Sequence, residues 1–360
     1  MTQPSLSVPA PDRAARARRS RGRRALFVLL SLLAAAPVLL LLAAYAQSPT
    51  SAGAPIAARL HVPYPAVIAH RGLSAWAPEE TRAAYLLARE LGADYLEADV
   101  QRTSDGVLIA LHDDTLERTT DVAAVFPERR GRGADAFTWQ ELQRLDAGSW
   151  WNAAHPERAR PAYVGLRILR IEELLDLAGS AAASGRPQRP GLYLETKGAG
   201  RYAGYERELV TLLRARGWLD APPDGAPAAT ARVLFQSFVP ESLVRLRELA
   251  PAVPRVLLID RKDVGKEPWH AFVQRAAALG AGIGPSGYEG MPWHTGPAHR
   301  AGLLVHHYTI NPEWQLRLLR QLGSDGVFTD SADRALAVFG RLGGRDRAAV
   351  LAEAFARTGL

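Results

Sequence analysis

The sequence predicts an α/β fold, a TIM-type (β/α)8 barrel, preceded by one N-terminal transmembrane helix and interrupted by an inserted segment after the third strand. Three observations carry this reading. Short apolar runs alternate with amphipathic stretches from residue 66 onward. Eight strand-like runs fit into about 270 residues, the span such barrels occupy. Charged and histidine side chains recur at the C-terminal ends of those runs, where barrel enzymes gather their chemistry.

The front end comes first. The 360-residue chain carries a formal charge of +7, and residues 1–24 supply +6 of it, from seven arginines (Arg13, Arg16, Arg18, Arg19, Arg21, Arg23 and Arg24) against Asp12. The remainder is therefore close to neutral, and the basic footprint of a nucleic-acid binder is missing. Residues 25–46 form an apolar run broken only by Ser31, Pro37 and Tyr45. About 20 such residues span the hydrocarbon core, and the arginine block places 1–24 on the cytoplasmic side. The run is longer than a usual signal-peptide core, which favours a membrane anchor. Ala44-Tyr45-Ala46 has the small-x-small form of a cleavage site, so a cleaved signal is the alternative. Either reading puts the rest of the chain outside the cytoplasm. Residues 47–65, rich in Pro, Ser, Ala and Gly, read as a linker.

The barrel is expected over 66–345, with 346–360 as a C-terminal tail. Strands are expected at 66–70, 95–100, 107–112, 192–195, 231–236, 255–259, 303–306 and 326–329. Residues 281–285 offer a further short one. Amphipathic helices are expected near 79–91, 172–183, 203–216, 240–250, 269–279, 312–321 and 332–342. A doubly wound sheet is the alternative, but no Gly-rich phosphate loop follows the first strand. Residues 113–170 break the rhythm and are expected to form a cap or substrate wall.

The chain has no cysteine, which excludes disulfides, thiolate metal sites and a cysteine nucleophile. A metal would have to use oxygen or imidazole ligands, which favours Ca²⁺, Mg²⁺ or Mn²⁺. The strand ends read His70-Arg71-Gly72, Glu97-Ala98-Asp99, His112-Asp113, Glu195-Thr196-Lys197, Gln236-Ser237 and Thr329-Asp330. Glu97 and Asp99 are two apart on a strand and so share a face. Like charges this close need a cation or a base between them, and Glu195 is the natural third carboxylate for a metal. A lone His70 would usually be structural. A second histidine, His112, at an equivalent strand end points to acid–base work. Lys197 is one of only three lysines among 44 basic residues. Its place in an acidic cluster suggests that a compact ammonium is needed there.

These motifs, with Pro78-Glu79, Gly106, Phe238 and Asp325 through Asp330 in order, resemble those of the glycerophosphodiester phosphodiesterases over nearly all of 66–342. The resemblance implies one divalent metal, Ca²⁺ or Mg²⁺, on Glu97, Asp99 and Glu195. It implies His70 and His112 as the general acid–base pair and Arg71 and Lys197 as phosphate-binding groups. Glu79 would support the site, as would Gln236. The implied reaction hydrolyses a glycerophosphodiester to a glycerol phosphate and an alcohol, through attack by water or by the neighbouring glycerol hydroxyl. A lipid-directed phospholipase is the enzymatic rival, for which Phe126, Phe137, Trp139, Trp150 and Trp151 would offer an apolar rim. A silent phosphodiester-binding module is the non-enzymatic one. Two departures from the family pattern stand out: Glu80 replaces an Asn, and Tyr308-Thr309-Ile310-Asn311 replaces a motif that usually begins with Trp.

Overall fold

The structure, a computed structural model, describes residues 52–185, 189–219 and 231–360, with Ser31, Leu33, Ala35, Ala36, Leu39 and Leu40 ahead of them. The expected cytoplasmic tail and most of the expected anchor, 25–46, lie outside the described residues. Among those described, no helix is long and apolar enough to cross a membrane. Residues 1–47 and 48–360 are separate units, and the second is the barrel unit.

Among the described residues there are nine strands: β1 (Ala66–Ala69), β2 (Tyr95–Arg102), β3 (Leu108–Ala110), β4 (Gly191–Thr196), β5 (Val233–Ser237), β6 (Arg255–Ile259), β7 (Gly282–Pro285), β8 (His306–His307) and β9 (Gly326–Thr329). Eight of them run parallel in the order β7-β6-β5-β4-β2-β1-β9-β8. Parallel bridges Ile283–Val305 and Ser286–Tyr308 join β7 to β8 and close the barrel. The third expected strand is a correction: β3 pairs antiparallel with β2 and is not a stave. The stave that replaces it is β7, whose Gly-Ile-Gly-Pro sequence lacks the β-branched density that marks a strand. Its glycines suit a tight approach, since a Cβ on Gly282 would lie 2.7 Å from the Leu304 carbonyl oxygen.

Period-two alternation sorts each stave into two jobs. Outward residues such as Val67, Leu96, Leu192, Leu194, Phe235 and Val327 are buried under the surrounding helices. Inward residues are apolar low in the barrel, where Ile68, Tyr95, Tyr193, Leu234, Leu258 and Phe328 form an interior cluster. One or two steps further along the same inward face stand the polar residues: His70, Glu97 and Asp99, Glu195 and Lys197, and Gln236. The barrel thus has a dry floor and a charged mouth.

The helix Arg82–Leu91 shows how the outer ring is built. Ala84, Leu87, Ala88 and Leu91 are buried at helical spacing, and Gly92 ends the helix in a left-handed conformation (φ 86°). Truncating Leu87 there would cost about 2–5 kcal/mol.

Two segments differ from expectation. The stretch read as a linker contains the helix Ala54–Arg59. Ile56, Ala57 and Val62 pack onto the interior cluster at the start of the strands, and Arg59 donates to the Gly302 carbonyl at 3.0 Å. A helix of six residues is too short for a visible apolar period. The expected tail contains the helix Arg347–Thr358, capped by the Asp346 side chain, and Val350, Leu351, Ala354 and Phe355 join the main core. A further helix, Pro292–Arg300, is hidden in the sequence because Gly296 and Pro297 interrupt its pattern.

The inserted segment 113–170 is short helices and turns around its own small core, which takes in Leu116, Val122, Phe126, Phe137 and Leu142. Phe126, Phe137 and Trp151 are buried, and Trp139 and Trp150 pack against core clusters. The expected apolar rim is therefore local core, and the observation that would have favoured a lipid-directed enzyme is missing among the described residues.

Candidate active site

The nine predicted site residues converge at the C-terminal end of the barrel. His70, Arg71, Glu97, Asp99, His112, Glu195, Lys197 and Gln236 line one cavity of about 170 Å³ with Phe238, Leu258, Tyr308, Thr309 and Phe328. Glu79 stands behind it, bonded to Arg71.

The backbone turn after β1 aims the first group. Arg71 adopts φ 55°, uncommon outside glycine. Gly72 follows at φ 84°, where a Cβ would meet Ala84 at 2.7 Å, so only glycine fits. This turn directs the Arg71 N–H to Glu97 Oε2 at 2.8 Å. The Arg71 guanidinium reaches Glu79 Oε1 at 2.8 Å and Asp99 Oδ2 at 3.3 Å.

Glu97, Asp99 and Glu195 each offer an oxygen within 4.8 Å of the others, and all three are buried. Gln236 Nε2 donates to Glu97 Oε1 at 3.0 Å, which fixes that carboxyl group. Lys197 Nζ lies 3.3 Å from Glu195 and 3.6 Å from Asp99. Neither Asp99 oxygen accepts a hydrogen bond, although both are buried. Burial and the neighbouring Asp99 push Glu195 up to about 8, and burial with Asp99 and Glu80 pushes Glu97 well above its ordinary range. Burial acts against Asp99 as well, but Lys197 and Arg71 hold it down at about 2. Arg71 and Lys197 thus do not offset the crowding of the three carboxylates by themselves. A divalent cation fits such a site: three convergent hard oxygens, one of them from an Asp99 carboxylate that accepts no hydrogen bond, and an excess of negative charge.

Each histidine is held by a carboxylate through Nδ1. His70 donates to Asp330 Oδ1 at 2.7 Å, and Asn311 and Ser74 bond the same carboxylate. His112 donates to Asp113 Oδ1 at 2.6 Å. With Nδ1 occupied in this way, Nε2 is left for chemistry. Burial, with Arg71 and Lys197 nearby, holds His112 below its ordinary range against the pull of Asp99.

A model of the glycerophosphoryl diester phosphodiesterase family matches residues 70–334. The chain belongs to that family. A Bacillus subtilis glycerophosphodiester phosphodiesterase is 36% identical over 268 residues, covering 74% of this chain and 83% of the relative. A solved Oleispira antarctica phosphodiesterase, in complex with the product sn-glycerol-3-phosphate, superposes with a TM-score of 0.60 at 28% identity, covering 77% of this chain and 97% of its own. A glycerophosphodiester phosphodiesterase structure from Agrobacterium tumefaciens gives a TM-score of 0.56 at 26% identity over 76% and 99%.

Against the family pattern, Glu80 resolves one of the two departures. It neither points into the cavity nor caps a helix. Its carboxyl group is buried, accepts from the Asp99 backbone N–H at 3.0 Å and bonds the Tyr85 hydroxyl. Burial, then the Asp99 charge, pushes its pKa well above the usual range, toward the neutral character of the Asn it replaces. At the other departure, Tyr308 forms cavity wall, its hydroxyl donating to the Ile259 carbonyl at 2.7 Å.

Arg118 carries no signal in the sequence. Its guanidinium bonds both oxygens of Glu79 at 2.7 Å and reaches Asp113 Oδ1 at 2.9 Å. It therefore ties the carboxylate behind Arg71 to the carboxylate behind His112. The pairing of Asp330 with His70 is likewise a finding of the structure, though Asp330 stands in view at a strand end. A carboxylate at a strand end signals a site but not its partner.

Proposed function

We propose that this protein hydrolyses glycerophosphodiesters to a glycerol phosphate and an alcohol, using a divalent cation, Ca²⁺ or Mg²⁺, held by Glu97, Asp99 and Glu195. The observation that carries the reading is the pair of carboxylate-anchored histidines, His70 and His112, lining one cavity with three carboxylates, an arginine and a lysine.

Arg71 and Lys197 bind the non-bridging phosphate oxygens, whose charge grows as the nucleophile attacks. The cation, when bound, supplies further positive charge to that phosphoryl group and Lewis acidity. His112, unprotonated at neutral pH, accepts the proton of the nucleophile at Nε2 as the new O–P bond forms. His70, oriented by Asp330, gives a proton to the departing alkoxide as the old P–O bond breaks. Water or the neighbouring glycerol hydroxyl serves equally as nucleophile with this pair. In the second case, water then opens the cyclic product.

The same reading extends to place. The arginine block and the apolar run 25–46 support a membrane-attached or exported enzyme with its catalytic unit outside the cytoplasm.

The test is an assay of purified protein on glycerophosphocholine and glycerophosphoglycerol, with Ca²⁺ or Mg²⁺ and with chelator. The expected result is glycerol phosphate release that chelator abolishes, and that His70→Ala and His112→Ala each lower by ~10²–10⁴-fold. Metal-loaded, folded protein that turns over neither diester would sink the proposal.

A further inference from the structure

A larger groove lies beside the catalytic cavity. Phe238, Tyr308 and Thr309 line both, and the groove encloses about 540 Å³ against about 170 Å³ for the cavity. The small cavity suits a phosphate and a short polyol, and the groove beside it has room for the bulkier part of a diester.

The groove treats charge unevenly. Asp260 is already engaged, by Lys262 Nζ at 2.7 Å and by the Lys262 backbone N–H at 2.9 Å. Arg261 has no carboxylate partner among the described residues, and its guanidinium lies over the Tyr288 ring at 4.3 Å. This contact leaves the guanidinium N–H groups able to fork onto a carboxylate or phosphate. A quaternary ammonium, by contrast, would want an open aromatic face or an unpaired carboxylate. Arg261 lies over Tyr288 and Lys262 engages Asp260, while the other two aromatics of the groove, Phe238 and Tyr308, meet edge to face with ring centroids 5.9 Å apart.

We infer that this groove holds the alcohol half of the diester, and that Arg261 selects alcohols bearing a second anionic group over cationic, choline-like ones. The inference rests on the phosphodiesterase reading above and adds the substrate class to it. Arg261 is a specificity residue and takes no part in the bond-breaking step.

The experiment compares kcat/KM of the full-length, metal-loaded enzyme on three diesters with the same glycerophosphoryl half. Bis(glycerophospho)glycerol has an anionic leaving alcohol, glycerophosphoglycerol a neutral one and glycerophosphocholine a cationic one. Wild type is expected to favour the anionic over the neutral alcohol by about tenfold, the scale of one hydrogen-bonded charge contact. Arg261→Ala should erase most of that ratio, and Arg261→Glu should invert the order of anionic and cationic alcohols. An unchanged ratio in Arg261→Ala, or equal loss on all three diesters, overturns the inference while leaving the phosphodiesterase reading standing. Wild-type inactivity on all three removes that reading, and the groove assignment with it.

Discussion

Replacing Arg118 by Ala separates positioning from stability at this site. The side chain makes short contacts to Glu79 and Asp113, yet it is 44% exposed. Ion pairs in that setting contribute about 0–1 kcal/mol after solvent screening. Tm should therefore fall by no more than about 2–4 °C in a domain of this size. The effect on chemistry should be much larger, because the same residue steadies the partner of Arg71 and the partner of His112. A misplacement of about 1 Å in a reacting group costs roughly 10²-fold, so kcat should drop on that scale. KM should change less, since Arg71 keeps its contact with Asp99 at 3.3 Å. The assay is steady-state turnover of glycerophosphoglycerol with saturating Ca²⁺, beside a thermal melt of the same preparation. Arg118→Ala combined with Asp113→Asn should be no worse than the poorer single variant if the two act as a unit. A kcat within about threefold of wild type would refute the clamp. So would a parallel collapse of Tm, which would make Arg118 a structural residue.

Three further outcomes are expected. Asp330→Asn should lower kcat by ~10²–10⁴-fold with little change in melting, because His70 loses the carboxylate that holds its tautomer and stabilises its protonated form; wild-type turnover in that variant would refute the pairing. Glu80→Gln should keep activity and gain stability as pH rises above the ordinary carboxylate range, since the raised pKa of Glu80 makes its burial more costly there; denaturant midpoints at pH 5 and 8 that shift equally would contradict this. His306 and His307, pulled down to about 3 by burial and neighbouring histidines, contribute stability that is complete above about pH 6.5 and lost as pH falls towards 3, each by about 1.4 kcal/mol per pH unit. The measurement is the urea midpoint from pH 7 to 4, and a His307→Gln variant with the same slope as wild type would count against it.

What could be read from the sequence tracks the range of the forces involved. The barrel and its mouth were legible because strand ends carry their chemistry locally: Glu97-x-Asp99 and Glu195-x-Lys197 announce their shared face through a period of two. β7 was ambiguous and β3 misassigned because hydrophobic runs do not say which way a strand points. Arg118 was invisible because its meaning lies in two carboxylates, 39 and 5 residues away, that only the fold brings together. Glu80 could be noticed in the sequence as a departure, but the upward push on its pKa comes from burial beside Tyr85 and Asp99, which is a tertiary fact.

The short helix Ala54–Arg59 bears on handling the protein. It seals the barrel at the strand starts, the end opposite the mouth, so the catalytic unit is entered from behind. With the residues ahead of Ala52 removed, an affinity tag, a bead linker or a fused partner joined there would attach on the side from which substrate does not approach. Surface immobilisation through that end should leave diffusion to the site unimpeded, whereas coupling through the inserted segment 113–170 would place the support beside the opening.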